Sequence, residues 1–269
     1  MNDKKYEKIL VTKKNSSLPI FVLVLIGILF VWSLTAIKTV EISEGGVKVA
    51  QNILLGIVTP ATDKIFSLAN DSVLILLIQT IMIAFLGTLI GALIAILFAF
   101  LGASNLTPKY VHKTVRYILS IIWTIPALVY GLMVIKMTGT GPFAGVITFS
   151  IVSIGMIAKL YIEDIEELSD GLKETAQVAG LTWFKTVRLI IFPQVVNSII
   201  STYIYRFEIN LRDASILGLI GAGGLGTPLI LAMSEQRWHD VGAYLLGLVI
   251  LVLIVEFVST KIRIKLTRG

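Results

Sequence analysis

Few residues in this sequence could do covalent chemistry. There is no cysteine, which removes thiol nucleophiles, disulfides and thiolate metal sites. The two histidines, His112 and His239, fall on opposite sides of the membrane in the topology derived below, so no shared metal site is expected. No Ser-His-Asp arrangement or carboxylate pair stands out, and an enzymatic reading has nothing to rest on. The stretch GAGGLG from Gly221 to Gly226 looks superficially like a dinucleotide fingerprint. That fingerprint needs a preceding strand in a βαβ unit and an acidic residue about 20 positions later. The first condition fails in a chain this apolar, so Gly221, Gly223, Gly224 and Gly226 read as a tight packing or gating turn.

Two other stretches can act without covalent chemistry. Arg206, Glu208, Arg212 and Asp213 stand in an otherwise apolar context, where charges pair with one another or line a polar path. Three roles stay open for them: a satisfied network near the outer interface, support for a pathway or its gate, and direct contact with a solute. The second stretch, LKETAQVAGLTWFKTVRLIIFPQ from Leu172 to Gln194, is a polar, amphipathic island between long apolar runs. Leu172, Thr175, Ala176 and Ala179 share one small, weakly apolar face at helical spacing. Gly180 breaks that helix, and Lys185 and Arg188 precede the next apolar run. The island is either a solvated interfacial loop or a docking helix for a cytoplasmic partner, with Pro193 closing it. No GxxxxGK[ST] occurs, so the chain does not bind ATP through a P-loop.

The elements that must position these stretches are membrane helices. Of 269 residues, 56% are hydrophobic and 15% charged, and the mean hydropathy is +0.89; ordinary domains carry about 25% charge. Several windows reach the ~20 apolar residues needed to cross hydrocarbon. Scattered Gly, Ser and Thr without strict alternation favour helices over a barrel. The net charge of +6 does not point to nucleic acid, because the basic residues gather beside the apolar runs. The pattern predicts an all-α polytopic protein with spans near 18–37, 72–101, 117–136 (interrupted by Pro126), 143–160, 190–205 and 241–260. The first run lacks a small-x-small cleavage pattern and reads as a retained helix. Gly87 and Gly91 form a GxxxG suited to close helix packing.

Basic residues fix the orientation. Lysines in 1–17, Lys109, Lys113 and Arg116 in the second loop, and Lys261, Arg263, Lys265 and Arg268 at the far end all fall on one side after six crossings. The expected organisation is a cytoplasmic tail (1–17), a first helix with an external linker (18–71), and a transmembrane core (72–260). The core contains a cytoplasmic loop (161–192), and a basic cytoplasmic tail (261–269) follows it.

At this point a resemblance enters. ETAQVAG, nine residues and IIFP place Glu174, Thr175, Ala176, Gly180, Ile190 and Pro193 as in the EAA loop of binding-protein-dependent ABC import permeases. Thr175 stands where that motif usually has alanine. YRFEIN, GLIGAGGLG and TGPFAG resemble the phosphonate-import (PhnE-type) permeases over roughly residues 70–265, and methionine importers share GAGGLG. The resemblance implies a type I importer permease with a MetI-like fold in the cell membrane. It implies a coupling helix seated in a cleft of an ATPase, with Glu174 transmitting dimer closure. It further implies a second permease copy, two P-loop ATPase subunits that bind ATP and Mg, and an external binding protein. Phosphonate, phosphite or a related oxyanion is the implied cargo. Another solute such as methionine, or a gradient-driven secondary transporter, is the alternative. No cofactor or metal is expected in this chain.

Overall fold

Apolar runs of this length have one favourable solution in hydrocarbon, a helix that pairs its backbone groups internally. The structure, a computed structural model, describes residues 18–36, 44–67, 71–169, 171 and 178–268, and its ordered elements are all helices. The expected tail 1–17 lies outside the described residues.

Two compact units divide the chain, residues 1–48 and 49–269. In the first, α1 (Leu18–Ala36) exposes large apolar side chains from Ile20 to Leu34 on every face. Its 19 residues extend ~28 Å, enough to cross a bilayer core. α2 (Glu44–Val58) begins in this unit and continues into the second, where α3 (Thr62–Phe66) follows. The sequence suggests only a partly amphipathic segment from Gly56 to Asp71 here. The structure shows instead a 15-residue helix that starts well upstream of it. Lys64 on α3 pairs with Asp71, and that hydrogen bond holds the Asp71 carboxyl below the usual carboxylate range. A depressed carboxyl contributes above its ordinary pKa and loses that contribution as acid approaches its folded value.

The centre of the second unit is a pair of long helices, α4 (Val73–Gly102) and α7 (Pro142–Glu166). Ser72 caps α4 by accepting from the Ile75 amide. The GxxxG spacing works as its sequence suggests. A Cβ on Gly87 would lie 2.5 Å from Phe149 Cβ, and one on Gly91 would lie 2.7 Å from Ser150 O. Further along, Gly102 meets Ile162. These contacts advance together along both helices, so α4 and α7 run parallel, and the chain between them must return across the bundle.

The return is made by α5 (Lys109–Thr124) and α6 (Ala127–Thr138), bent by 84°. The sequence reads one interrupted span over 117–136; the structure corrects it to two helices that start eight residues earlier. Pro126 drives the preceding Ile125 into extended backbone, with ψ 124°. At ~24 and ~18 Å neither half alone matches the ~30 Å hydrocarbon core.

α7 runs to Glu166, past the expected end near residue 160, because Ile157, Ala158, Tyr161, Ile162 and Ile165 continue its buried stripe. The early part of the expected coupling loop is therefore helix. α8 (Trp183–Thr186), a π-helical turn (Val187–Ile191) and α9 (Phe192–Gly218) follow, together long and apolar enough to cross. Pro193 stands in the first turn of α9. The Phe192 amide reaches back five residues to Val187 O, a widening that accommodates a residue lacking an N–H. α9 does not end near Tyr205, so the charged residues from Arg206 to Asp213 lie within a helix rather than after one. α10 (Gly226–Ser234) and α11 (Trp238–Arg268) complete the bundle. α11 carries the expected basic tail in helical form as far as Arg268. The largest core gathers Phe100, Val115, Leu119, Tyr161, Ile191 and Val195 from α4, α5, α7 and the α8–α9 run.

Candidate functional site

One end of the bundle carries the glycine turn. α9 stops at Gly218, and Gly221, Gly223 and Gly224 adopt φ of +84°, +84° and +69°, backbone that side-chain-bearing residues rarely tolerate. The turn is stitched to its neighbours. Gly224 N donates to Gln79 Oε1 at 3.1 Å, and Leu225 N donates to Thr80 Oγ1 at 2.9 Å. Thr80 in turn donates to Leu76 O at 2.8 Å. Gly141 N donates to Gly221 O at 2.8 Å, tying the turn to the start of α7. A Cβ on Gly223 would lie 2.8 Å from Pro142 N and Cα. Beside the turn opens a cleft of about 360 Å³ lined by Leu76, Gln79, Thr140, Gly221, Gly224 and Thr227. A helix precedes the glycines, which removes the dinucleotide geometry.

The expected charged cluster lies near the middle of α7 in depth, and it divides in two. Arg206 faces α7, where Nη1 approaches Met156 Sδ at 3.0 Å and Nε donates to Ser153 Oγ at 3.4 Å. Asn210, fully buried, donates to Thr88 Oγ1 and to Ser153 Oγ, both at 2.8 Å. One hydroxyl of α7 and one of α4 are thus joined to α9. On its other face Glu208 accepts from Arg212 at 2.7 Å, one helical turn away, and from Arg263 of α11 at 3.4 Å. Asp213 makes no ion pair with the other three. The Glu208 half is an ion-paired network inside an apolar bundle, whereas in the other half the Asn210 amide donates twice and its buried Oδ1 has no hydrogen-bond partner.

The opposite end carries the described part of the stretch 161–192, expected from the sequence to be a coupling loop. Arg116 on α5 pairs with Glu166 Oε1 at 2.5 Å and donates through Nε to Gly102 O at 2.9 Å. Glu166 also accepts from the Ser104 amide at 2.6 Å and from its hydroxyl. Asn105 Nδ2 donates to Ile165 O at 2.8 Å, and Trp183 Nε1 to Leu106 O at 3.0 Å. The α4–α5 turn is clamped to α7 and α8, the two helices that flank the loop. Gly180 turns the chain with φ +64°. Ile190 lies half-buried in the π-helical turn, and Pro193 is exposed. Val178, Trp183, Phe184 and Leu189 present exposed apolar side chains at this end. Glu174, Thr175 and Ala176 lie outside the described residues.

Several of these residues escaped the reading of the sequence. Arg263 registers there only as an orientation signal, while Arg116 is counted as a loop cation. Asn210, Thr88 and Ser153 carry one legible sign, a hydrogen-bonding group inside an apolar run. Gln79 and Thr80 carry the same sign. The histidines serve locally: His239 Nδ1 is 2.6 Å from Thr59 O and His112 Nδ1 is 3.3 Å from Thr107 O. Among the described residues no group of three His, Cys, Asp or Glu could hold a metal.

A parallel helix pair, a bent return and buried polar seams make a polytopic helical bundle, with five helices long and apolar enough to cross a membrane and six if the bent pair is one span. The chain belongs to the family of binding-protein-dependent transport system inner membrane components, whose model matches residues 87–262. Such a subunit is a multi-pass membrane component and is not itself catalytic; ATP is bound by a separate ATPase of the complex. A phosphite transport system permease protein of Stutzerimonas stutzeri is 30% identical over 188 residues, 70% of this chain and 68% of that one. A phosphate-import permease protein of Mycolicibacterium smegmatis is 34% identical over 155 residues, 57% of this chain but 29% of that longer one. A chain of the inward-facing MetNI methionine ABC transporter matches with a TM-score of 0.62 at 20% identity, over 71% of this chain and 94% of that one. At that identity it defines the fold alone.

Proposed function

We propose that this chain forms the translocation path of an ATP-driven importer for phosphite, a phosphonate or a related phosphorus oxyanion. The observation that carries the reading is the 30% identity over 188 residues to a phosphite permease. The motifs YRFEIN and TGPFAG, which lie on α9 and at the α6–α7 turn, support it. In this reading two copies of the chain surround a two-fold pathway, and both termini face the cytoplasm. An external binding protein delivers the anion at the end bearing the glycine turn. Two P-loop ATPase subunits, holding ATP and Mg, dock at the other end. Glu174, Thr175, Ala176, Gly180, Ile190 and Pro193 form the docking element. The exposed apolar residues around Val178 and Phe184 are suited to a protein cleft.

Alternating access then follows from the two ends. Closure of the ATPase dimer moves the loop, and the Arg116–Glu166 clamp passes that motion to α5 and α7 together. The seam at Asn210 and Arg206 makes α4, α7 and α9 move as one body, so the displacement reaches the turn at Gly221, Gly223, Gly224 and Gly226. Glu208, Arg212 and Asp213 support this pathway rather than bind the cargo.

Reconstitution in liposomes tests the class. Uptake of phosphite or methylphosphonate is expected only when ATPase, ATP and binding protein are all present. Uptake by the permease alone under an ion gradient would make it a secondary transporter. Methionine uptake without oxyanion uptake would reassign the cargo.

A further inference from the structure

α5 is divided lengthwise. Lys113, Arg116, Ser120 and Thr124 follow one another at three- or four-residue steps and form a single polar stripe, while Val115 and Leu119 on the adjoining face enter the core. A polar face along a helix of a membrane bundle needs water or polar partners beside it. Where the stripe meets α7 the two helices enclose a cleft of about 250 Å³, lined by Arg116, Ser120, Trp123, Lys159 and Glu163 among others.

Lys159 is the anomaly of this cleft. It stands within a helix long and apolar enough to cross the membrane. Its ammonium lies 4.9 Å from the Trp123 ring centroid, a cation–π contact, and it makes no ion pair with any described residue. Arg116 beside it is already matched to Glu166. The Ser120 and Thr124 hydroxyls donate to the helix itself, to Arg116 O and Ser120 O. They offer lone pairs rather than donors, so the attraction for an anion falls to the two cations, and chiefly to Lys159. Glu163 lines the same cleft and opposes a bound anion. Lys159 is exposed and lies in the last two turns of α7, beside Arg116 and Glu163, so it stands at the mouth of the cleft as a cation that a passing anion meets. Here the adjoining carboxylate keeps binding weak, as passage requires.

We propose that the α5–α7 cleft is a transit site for a phosphorus oxyanion, with the Lys159 ammonium as its principal contact and Arg116 beside it. The proposal rests on the importer reading above. The same phosphate-type chemistry could reach the cleft as a free anion or as a lipid headgroup, and the assignment made is the free anion.

The test uses the full complex of permease, ATPase and binding protein in vesicles of neutral phosphatidylcholine, with and without phosphatidylglycerol. Uptake of phosphite and methylphosphonate is measured with saturating loaded binding protein for wild type, Lys159→Gln, Lys159→Arg and Glu163→Gln. Assembly is verified by size exclusion. Lys159→Gln is expected to lower uptake about tenfold while Lys159→Arg retains most of it, since the loss is of an interaction made during passage. Glu163→Gln is expected to tighten phosphite binding to the permease–ATPase complex in the absence of binding protein. Equal uptake by wild type and Lys159→Gln would overturn the site alone. Lys159-dependent retention of phosphatidylglycerol with unchanged uptake would assign the cleft to a headgroup and also overturn it. Failure of wild type to take up any phosphorus oxyanion would instead overturn the importer reading beneath it.

Discussion

Asn210 shows how a single side chain can hold three helices, and how little energy that takes in a membrane. Its amide donates to Thr88 on α4 and Ser153 on α7, and interhelical hydrogen bonds in bilayers average ~0.6 kcal/mol each. Replacing Asn210 by Leu should therefore cost only ~1–2 kcal/mol of stability in a detergent denaturation titration. Transport should fall further than that loss explains, because α9 would no longer move with α4 and α7. Transport unchanged in a destabilised protein would reduce the seam to a structural fastening. Glu208 differs in kind, since its side chain is 6% exposed and faces both Arg212 and Arg263. Glu208→Ala should cost ~2 kcal/mol, a charge-assisted bond discounted for the exposure of Arg212. An unchanged denaturation midpoint would show that Arg212 and Arg263 are equally well satisfied by water. The sequence displays all these residues, but the faces they share depend on α9 continuing through them. The sequence alone groups Arg206, Glu208, Arg212 and Asp213 as one cluster; on a helix Arg206 and Glu208, two residues apart, point away from each other.

At the scale of elements, the glycine turn is the part most sensitive to side-chain size. Gly223→Val would combine a φ of +84° with a Cβ 2.8 Å from the Pro142 backbone. Backbone cannot yield as a flexible side chain would, so loss of transport with a lowered thermal midpoint is expected. Normal uptake and a normal midpoint in Gly223→Val would show that the turn is a tolerant connection. The turn was legible as a turn because three glycines in four positions exclude regular helix. Its anchors, Gln79 and Thr80, were not, since nothing local in α4 announces a partner more than 140 residues away. The bend at Pro126 was half legible: proline announces an interruption, while its 84° angle is set by what α5 and α6 pack against. The helical continuation of α7 to Glu166 was visible in principle, because Tyr161, Ile162 and Ile165 keep the helical period beyond the apolar run. Hydropathy alone ends a helix where the charges begin, and the chain does not.

For the whole molecule, apolar length and the lysine and arginine beside the spans carry an expectation of six crossings with both termini inside; five helices are long and apolar enough to cross, and six if the bent pair is one span. The native absence of cysteine makes the orientation directly testable. Single cysteines at Ser17 and Lys261 should react with a membrane-impermeant maleimide only from the cytoplasmic side, and one at Thr140 only from outside. The opposite labelling pattern would invert the topology and take the docking reading with it. Coupling is the property of the assembly that no single helix displays. If the loop is the docking element proposed above, Glu174→Lys or Gly180→Pro should leave insertion intact while ATP hydrolysis continues without transport. Tightly coupled flux in both variants would remove the loop from the mechanism. The most direct test of the proposed importer is ATP hydrolysis by the purified complex when its binding protein is presented with phosphite, methylphosphonate, phosphate or methionine in turn. Stimulation by a phosphorus oxyanion and not by methionine is the result predicted. Stimulation by methionine alone, or by none of the four, would contradict it.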